Sequence, residues 1–217
     1  MKTRAILFDL DGTLIDQFKS IHSAFSKTLI QMGFPAPSFE KVKRAVGGSS
    51  DITMAKLIGP ERADEAVGIL RPIFEKEMFN DLFILPGVNE GLYQLTQAGY
   101  KCAVLTNKFG PHARSICDYL GLSKFLEFTL GATDTEWKKP NIKLTRFALE
   151  RFGYNSSETI YVGDSPYDFE TAKNGHLRSY LVATGTHTLE ELSTLQSENI
   201  FEDFSAFVTS LTNKNLP

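Results

Sequence analysis

From Phe83 onward the chain alternates between short apolar runs and stretches of helical period. Strands are expected over 101–106 (KCAVLT), 125–131, 159–162 and 179–183, with helices over 88–98, 111–120, 142–152 and 168–174. Strands that alternate with helices of ~10–15 residues build a parallel sheet covered by helices on both faces. The strand runs are almost wholly apolar, as a sheet buried on both sides requires. The early run Ala5, Ile6, Leu7, Phe8 belongs to the same series.

Residues 17–80 interrupt that series. Ile21, Ala24, Phe25, Leu29 and Met32 recur at helical spacing over 19–32, and Gly33, Pro35 and Pro37 end that helix. Further helical pieces are expected over 39–46, 52–57 and 60–80, and no strand. The expectation is an α/β chain. A Rossmann-like parallel-sheet core is made of 1–16 and 81–217, and an all-helical unit of 17–80 is inserted after the first strand. The two crossings, near 13–17 and 80–86, would act as hinges.

Length and charge narrow the class. A chain of 217 residues can hold one sizeable core and a smaller unit. Net charge is −3 with scattered Lys and Arg, unlike the concentrated basic footprint of a nucleic-acid binder. Cys102 and Cys117 fall in apolar and helical patterns and read as buried free thiols. The apolar run of MKTRAILFDLDG stops at Asp9, short of the ~7–15 residues of a signal-peptide core. No stretch approaches the ~18 apolar residues of a membrane span. A cytoplasmic location, with neither nucleic-acid nor membrane partner, is therefore expected. The sequence carries no signal for oligomeric state.

In open parallel α/β sheets, ligands bind beyond the carboxyl ends of the strands. The first strand ends in Asp9-Leu10-Asp11-Gly12-Thr13, and the run 101–106 ends in Thr106-Asn107. The run 159–162 leads into Gly163-Asp164-Ser165 and then Asp168, while Lys138-Lys139-Pro140 precede the helix over 142–152. Singly, each has an ordinary explanation. An Asp ends many turns, Ser165-Pro166 could start a helix with Asp168 facing its dipole, and Lys139 could be a solvated charge. Together, four carboxylates on one sheet edge repel, and burying them unpaired is costly. A hard divalent cation with oxygen ligands resolves the repulsion, and Mg2+ with open positions suits phosphate oxygens.

With these motifs in this order, the chain resembles the haloacid-dehalogenase (HAD) superfamily of phosphatases that carry a small helical cap after the first strand. Within it, phosphoglycolate phosphatase-like hydrolases are the nearest match. The resemblance implies a Mg2+-dependent hydrolase of a small phosphorylated metabolite. Asp9 then resembles the nucleophile that forms an aspartyl-phosphate, and Asp11 the general acid and base. Residues two apart in extended chain point to one side, and Gly12 lets the backbone turn away. Thr106 and Asn107 would hydrogen-bond phosphoryl oxygens, and Lys139 would balance charge. The metal would be held by Asp9, the Asp11 backbone carbonyl and Asp164, with Asp168 either orienting its water shell or ligating it directly. The segment 43–50 (KRAVGGSS) resembles the cap specificity loop. There Gly47 and Gly48 permit close approach and Arg44 would face an anionic leaving group; the plainer alternative is a glycine turn with Arg44 in solvent.

The chain departs from the family pattern in two places. Ile142 stands where many relatives have a second proline, and Asn174-Gly175-His176 replaces the usual small residues. His22, His112, His176 and His187 read as surface or packing residues. Signalling receiver domains also cluster acids around a phosphorylated Asp, but theirs ends the third strand and no unit is inserted. Dehalogenases lack a counterpart of Asp11. A sugar phosphomutase or inorganic pyrophosphatase of the same superfamily would share the catalytic set, and the physiological substrate is not legible.

Overall fold

The structure, a computed structural model, describes residues 3–213. Strand β1 (Ala5–Phe8) leads into a short antiparallel ribbon of β2 (Ile15–Asp16) and β3 (Phe83–Ile84). Between the two ribbon strands lie α1 (Phe18–Gln31), α2 (Phe39–Ala45), α3 (Ser50–Ile58) and α4 (Ala63–Glu77). These helices bury their own apolar cluster, which includes Phe18, Phe25, Leu29, Met54, Leu70 and Phe74. Both crossings into the insert therefore pass through one ribbon, in which Ile15 pairs with Ile84 and Leu85 N–H donates to the Leu14 carbonyl at 3.0 Å.

The rest of the chain returns to the sheet. Helix α5 (Val88–Gln97), β4 (Lys101–Leu105), α6 (Gly110–Tyr119), β5 (Thr129–Leu130) and α7 (Ile142–Phe152) come first. They are followed by β6 (Thr159–Gly163), α8 (Pro166–Asn174), β7 (Arg178–Val182), α9 (Leu189–Ser193), β8 (Ile200–Phe201) and α10 (Phe204–Asn213). Six parallel strands run in the order β5-β4-β1-β6-β7-β8. Alternate side chains go to opposite faces. Ile6, Phe8, Val104 and Val162 pack with α5, α6 and α10, while Leu7, Leu105 and Tyr161 pack with α7 and α8. Strand β1 is central, with Phe8 registered between Val104 and Val162. The chain progresses in opposite directions on its two sides, which makes the end of β1 the switch point where such sheets bind ligands.

Several boundaries differ from expectation. The strand expected over 125–131 is reduced to β5, because Ser123–Phe125 closes a 3-10 turn and only two residues reach the ladder. The helix expected over 60–80 starts with a 3-10 turn at Pro60–Arg62 and ends at Glu77, and Asp81 then takes φ 43°. Helix α8 starts at Pro166, two residues early, because Ser165 caps it. Elements α9, β8 and α10 lie beyond the last strand expected from the sequence. Cys102 and Cys117 are buried free thiols, as expected. No described helix is long and apolar enough to cross a membrane.

Candidate active site

Beyond β1 the chain makes a tight turn: Gly12 N–H donates to the Ile15 carbonyl at 2.7 Å, and Leu14 N–H to Leu10 at 2.9 Å. Gly12 holds φ +86°, and a Cβ there would come within 2.8 Å of both Asp164 and the Gly185 backbone. Only glycine fits. The turn leaves Asp9 and Asp11 both on the wall of one cavity, which Asp164, Thr106, Asn107, Lys108 and Thr186 also line.

Behind that wall lies a buried ion cluster. Lys139 Nζ donates to Asp168 Oδ1 (2.7 Å) and to the Tyr161 hydroxyl (3.0 Å), and lies 2.9 Å from Asp9 Oδ1. Tyr161 in turn donates to the Leu105 carbonyl at 2.7 Å. The second oxygen of Asp168 accepts from the backbone N–H groups of Asp164 and Ser165 (3.1 Å each) and from Ser165 Oγ (2.6 Å). Asp168 is thus the capping-box partner of α8 and the anchor of Lys139 at once. The helix-start explanation and the functional one are both satisfied by the same carboxylate.

Asp164 is held by the loop after β7. Its Oδ2 accepts from Thr186 N–H (2.7 Å) and Thr186 Oγ1 (2.9 Å), while Oδ1 has only a long contact of 3.5 Å from Thr13 Oγ1. Thr186 is absent from the sequence expectations. It was nonetheless detectable, since it follows a strand at the same sheet edge as Asp9, Thr106 and Asp164 do.

Electrostatics follow from burial. Desolvation pushes the Asp9 carboxyl up to about 6 despite the opposing Lys139 charge. Asp164 is pushed up to about 8, by burial and then by Asp168 and Asp9 beside it. Burial alone would lower Lys139, but Asp168 and Asp9 hold its ammonium well above the ordinary range. Asp9, Asp164 and Asp168 offer oxygens that lie within 4.8 Å of one another, against a single buried ammonium. Asp9 Oδ1 is buried, with the Lys139 ammonium 2.9 Å away. An oxygen-only donor set with excess negative charge fits a hard cation. Asp9 and Asp164 have oxygens to spare for it, whereas both oxygens of Asp168 are taken.

The other expected residues are arranged around this cluster. The Asp11 carboxylate stays outside the acidic cluster and is gripped by Lys108 Nζ at 3.0 and 3.1 Å. Asn107 joins two elements: its Nδ2 donates to the Gly47 carbonyl (3.1 Å) and the Lys139 carbonyl (3.2 Å), and its Oδ1 accepts from Lys139 N–H (2.8 Å). Lys139, not Lys138, enters the site, and Lys138 pairs with Asp51 at 2.9 Å. Gly47 and Gly48 line the cavity as expected. Arg44 does not. Its guanidinium donates to the Thr186 carbonyl (2.8 Å) and pairs with Glu191 (2.9 Å), because α2 ends against the loop after β7 and turns the side chain outward. His112 is buried between Phe74 and Phe109, as a packing residue should be, yet it also borders the cavity.

The family described as haloacid dehalogenase-like hydrolase matches residues 6–182. The chain belongs to that family. It is an enzyme of the HAD-like phosphatase type. Over 209 residues it is 29% identical to "Probable phosphatase IndB" of Dickeya dadantii, a match covering 94% of this chain and 91% of that one. It is 30% identical over 182 residues to a phosphoglycolate phosphatase of Aquifex aeolicus, covering 84% and 85%. The fold matches that of a haloacid dehalogenase-like hydrolase from Streptococcus pneumoniae with a TM-score of 0.84 at 22% identity, covering 99% of each chain.

Proposed function

We propose that the chain is a Mg2+-dependent phosphomonoester hydrolase that works through an aspartyl-phosphate on Asp9, acting on a small phosphorylated metabolite. The observation that carries this reading is the pairing of Asp9 with Lys139, behind a cavity wall that also presents Asp11. Asp9 attacks phosphorus as a carboxylate, and Lys139 keeps it ionised against the cost of burial. Tyr161 and Asp168 fix the ammonium, so it cannot swing away from Asp9. Asp11 gives a proton to the departing alkoxide and later takes one from water, as a positioned acid and base. Lys108 holds it at the cavity wall until then. Asp9 and Asp164 would hold the cation, with Thr186 orienting Asp164. When bound, Mg2+ neutralises charge developing on the phosphoryl oxygens.

Residues 17–80 are read as a cap whose hinges are the two strands of the β2–β3 ribbon. Relatives named phosphoglycolate phosphatase make phosphoglycolate the first ester to try. The test is phosphate release from a panel of phosphorylated metabolites, with Mg2+ and with excess EDTA. Turnover with Mg2+ alone is expected. Full activity in EDTA, or isomerised ester in place of free phosphate, would reject the hydrolase described.

A further inference from the structure

The cavity is chemically two-sided. Its core portion carries Asp9, Asp11, Thr106 and Asp164, whereas the insert contributes Phe25 from α1 and Leu70 and Phe74 from α4. Three basic side chains also border it: Arg71, Lys108 and His112. Lys108 is occupied by both oxygens of Asp11. His112 contacts Glu75 at 3.3 Å, and burial keeps its imidazole below its ordinary pKa. Arg71 differs from both. Its guanidinium lies over the Phe109 ring, 4.6 Å from the centroid, and its charge helps to lower His112, but among the described residues it has neither ion pair nor hydrogen bond. It directly follows Leu70 on α4, one turn before Phe74, so an unpaired guanidinium adjoins an apolar wall.

We propose that Arg71, not Arg44, is the cation on this wall that sets which leaving group is accepted. The favoured ester is one whose alcohol lays an aromatic or branched apolar body on Phe25, Leu70 and Phe74 and offers a carboxylate to Arg71. The inference rests on the phosphatase reading above. Guanidinium matches carboxylate through paired N–H donors and stays charged at any working pH. A two-carbon acid such as glycolate would leave the apolar wall against water. Each further methylene buried there is worth roughly fourfold in affinity.

The probes are three alkyl phosphates: 4-carboxybenzyl phosphate, benzyl phosphate and phosphoglycolate. Each is assayed for kcat/KM with Mg2+ on the wild-type chain and on Arg71→Gln. In the wild type, 4-carboxybenzyl phosphate should exceed each of the others about tenfold or more. In Arg71→Gln the ratio of 4-carboxybenzyl to benzyl phosphate should fall about tenfold, and a ratio does not depend on the fraction of variant that folds. An unchanged ratio, or a wild-type preference for phosphoglycolate, would overturn this inference and leave the phosphatase reading standing. Release of phosphate from none of the three, nor from any ester of the metabolite panel, would overturn both.

Discussion

The two sides of the cavity are built by different rules. On the core side each polar group sits just past a strand end, and the sheet register sets its position: Asp9 follows Phe8, Thr106 lies two residues past Val104, and Asp164 two past Val162. The site is then locked by short buried hydrogen bonds, donated by Lys139 to Asp168 and by Thr186 to Asp164. On the insert side no ladder fixes position. Polar ties hold the helices to the core: Arg44 with Thr186 and Glu191, Lys138 with Asp51, Gly47 with Asn107, and Glu75 with His112. On the proposed reading, chemistry sits where the sheet register fixes the backbone and selection where only side-chain ties do.

Changes at the core edge should accordingly be severe. Asp9→Asn should abolish turnover and any covalent phosphoenzyme label, because the near-isosteric amide is a poor nucleophile. Its melting temperature should hold or rise slightly in metal-free buffer, since one of three crowded carboxylates loses its charge. A variant that turns over normally would reduce Asp9 to a structural residue. Lys139→Met should act on stability as strongly as Asp9→Asn acts on rate. It would strip the only buried cation from Asp9 and Asp168 among the described residues, and breaking such pairs costs about 3–5 kcal/mol. Urea unfolding measures this, and a loss under about 1 kcal/mol would place the cluster's stability in its backbone hydrogen bonds instead.

The same contrast governs what the sequence discloses. Strands, helices and the carboxylate edge are legible because apolar period and strand-end position are local properties of the chain. Asp9, Asp11, Thr106, Asn107, Asp164 and Gly47 all border the cavity the motifs point to, with Lys139 and Asp168 directly behind it. Lys108 and Thr186 are less visible, since each matters through a partner far away in the chain, Asp11 and Asp164 respectively. Arg44 and Arg71 show the limit. Both are exposed arginines on insert helices, and only the packing of those helices on the core sends one to Glu191 and the other to the cavity. The last strand and its flanking helices escape for a simpler reason: β8 has two residues, too short for any period to register.

A smaller effect should appear in the pH dependence of the metal-free protein. Asp9 and Asp164 have folded-state pKa values of about 6 and about 8, above their ordinary 3.8. Between 3.8 and those values the folded state binds protons that the unfolded chain has lost, so folding stability falls as pH rises through that window. In EDTA the melting temperature should therefore drop from pH 5.5 to pH 8. Added Mg2+ should raise it more at pH 8 than at pH 5.5, because the cation competes with protons for the same oxygens. A Mg2+ shift independent of pH would mean that these carboxylates do not hold the ion.

The smallest effect is expected from Arg44→Ala, and it tests the insert side most directly. The arginine and Glu191 are both substantially exposed, with side-chain accessibilities of 44% and 42%, and such pairs contribute about 0–1 kcal/mol. Loss of the clasp should barely move the melting temperature. It should lower kcat/KM by roughly two- to fivefold, the range that up to about 1 kcal/mol of closure energy allows. Because the guanidinium contacts the Thr186 carbonyl and not the cavity, that loss should be the same for anionic and neutral leaving groups. Thr186 keeps its own two bonds to Asp164 in the variant, so Mg2+ dependence should not change. A loss confined to esters with an anionic leaving group would instead swing Arg44 into the cavity during turnover. The insert would then close by a rotation large enough to break its contact with Glu191, and the ties to Asp51 and Gly47 would have to break with it.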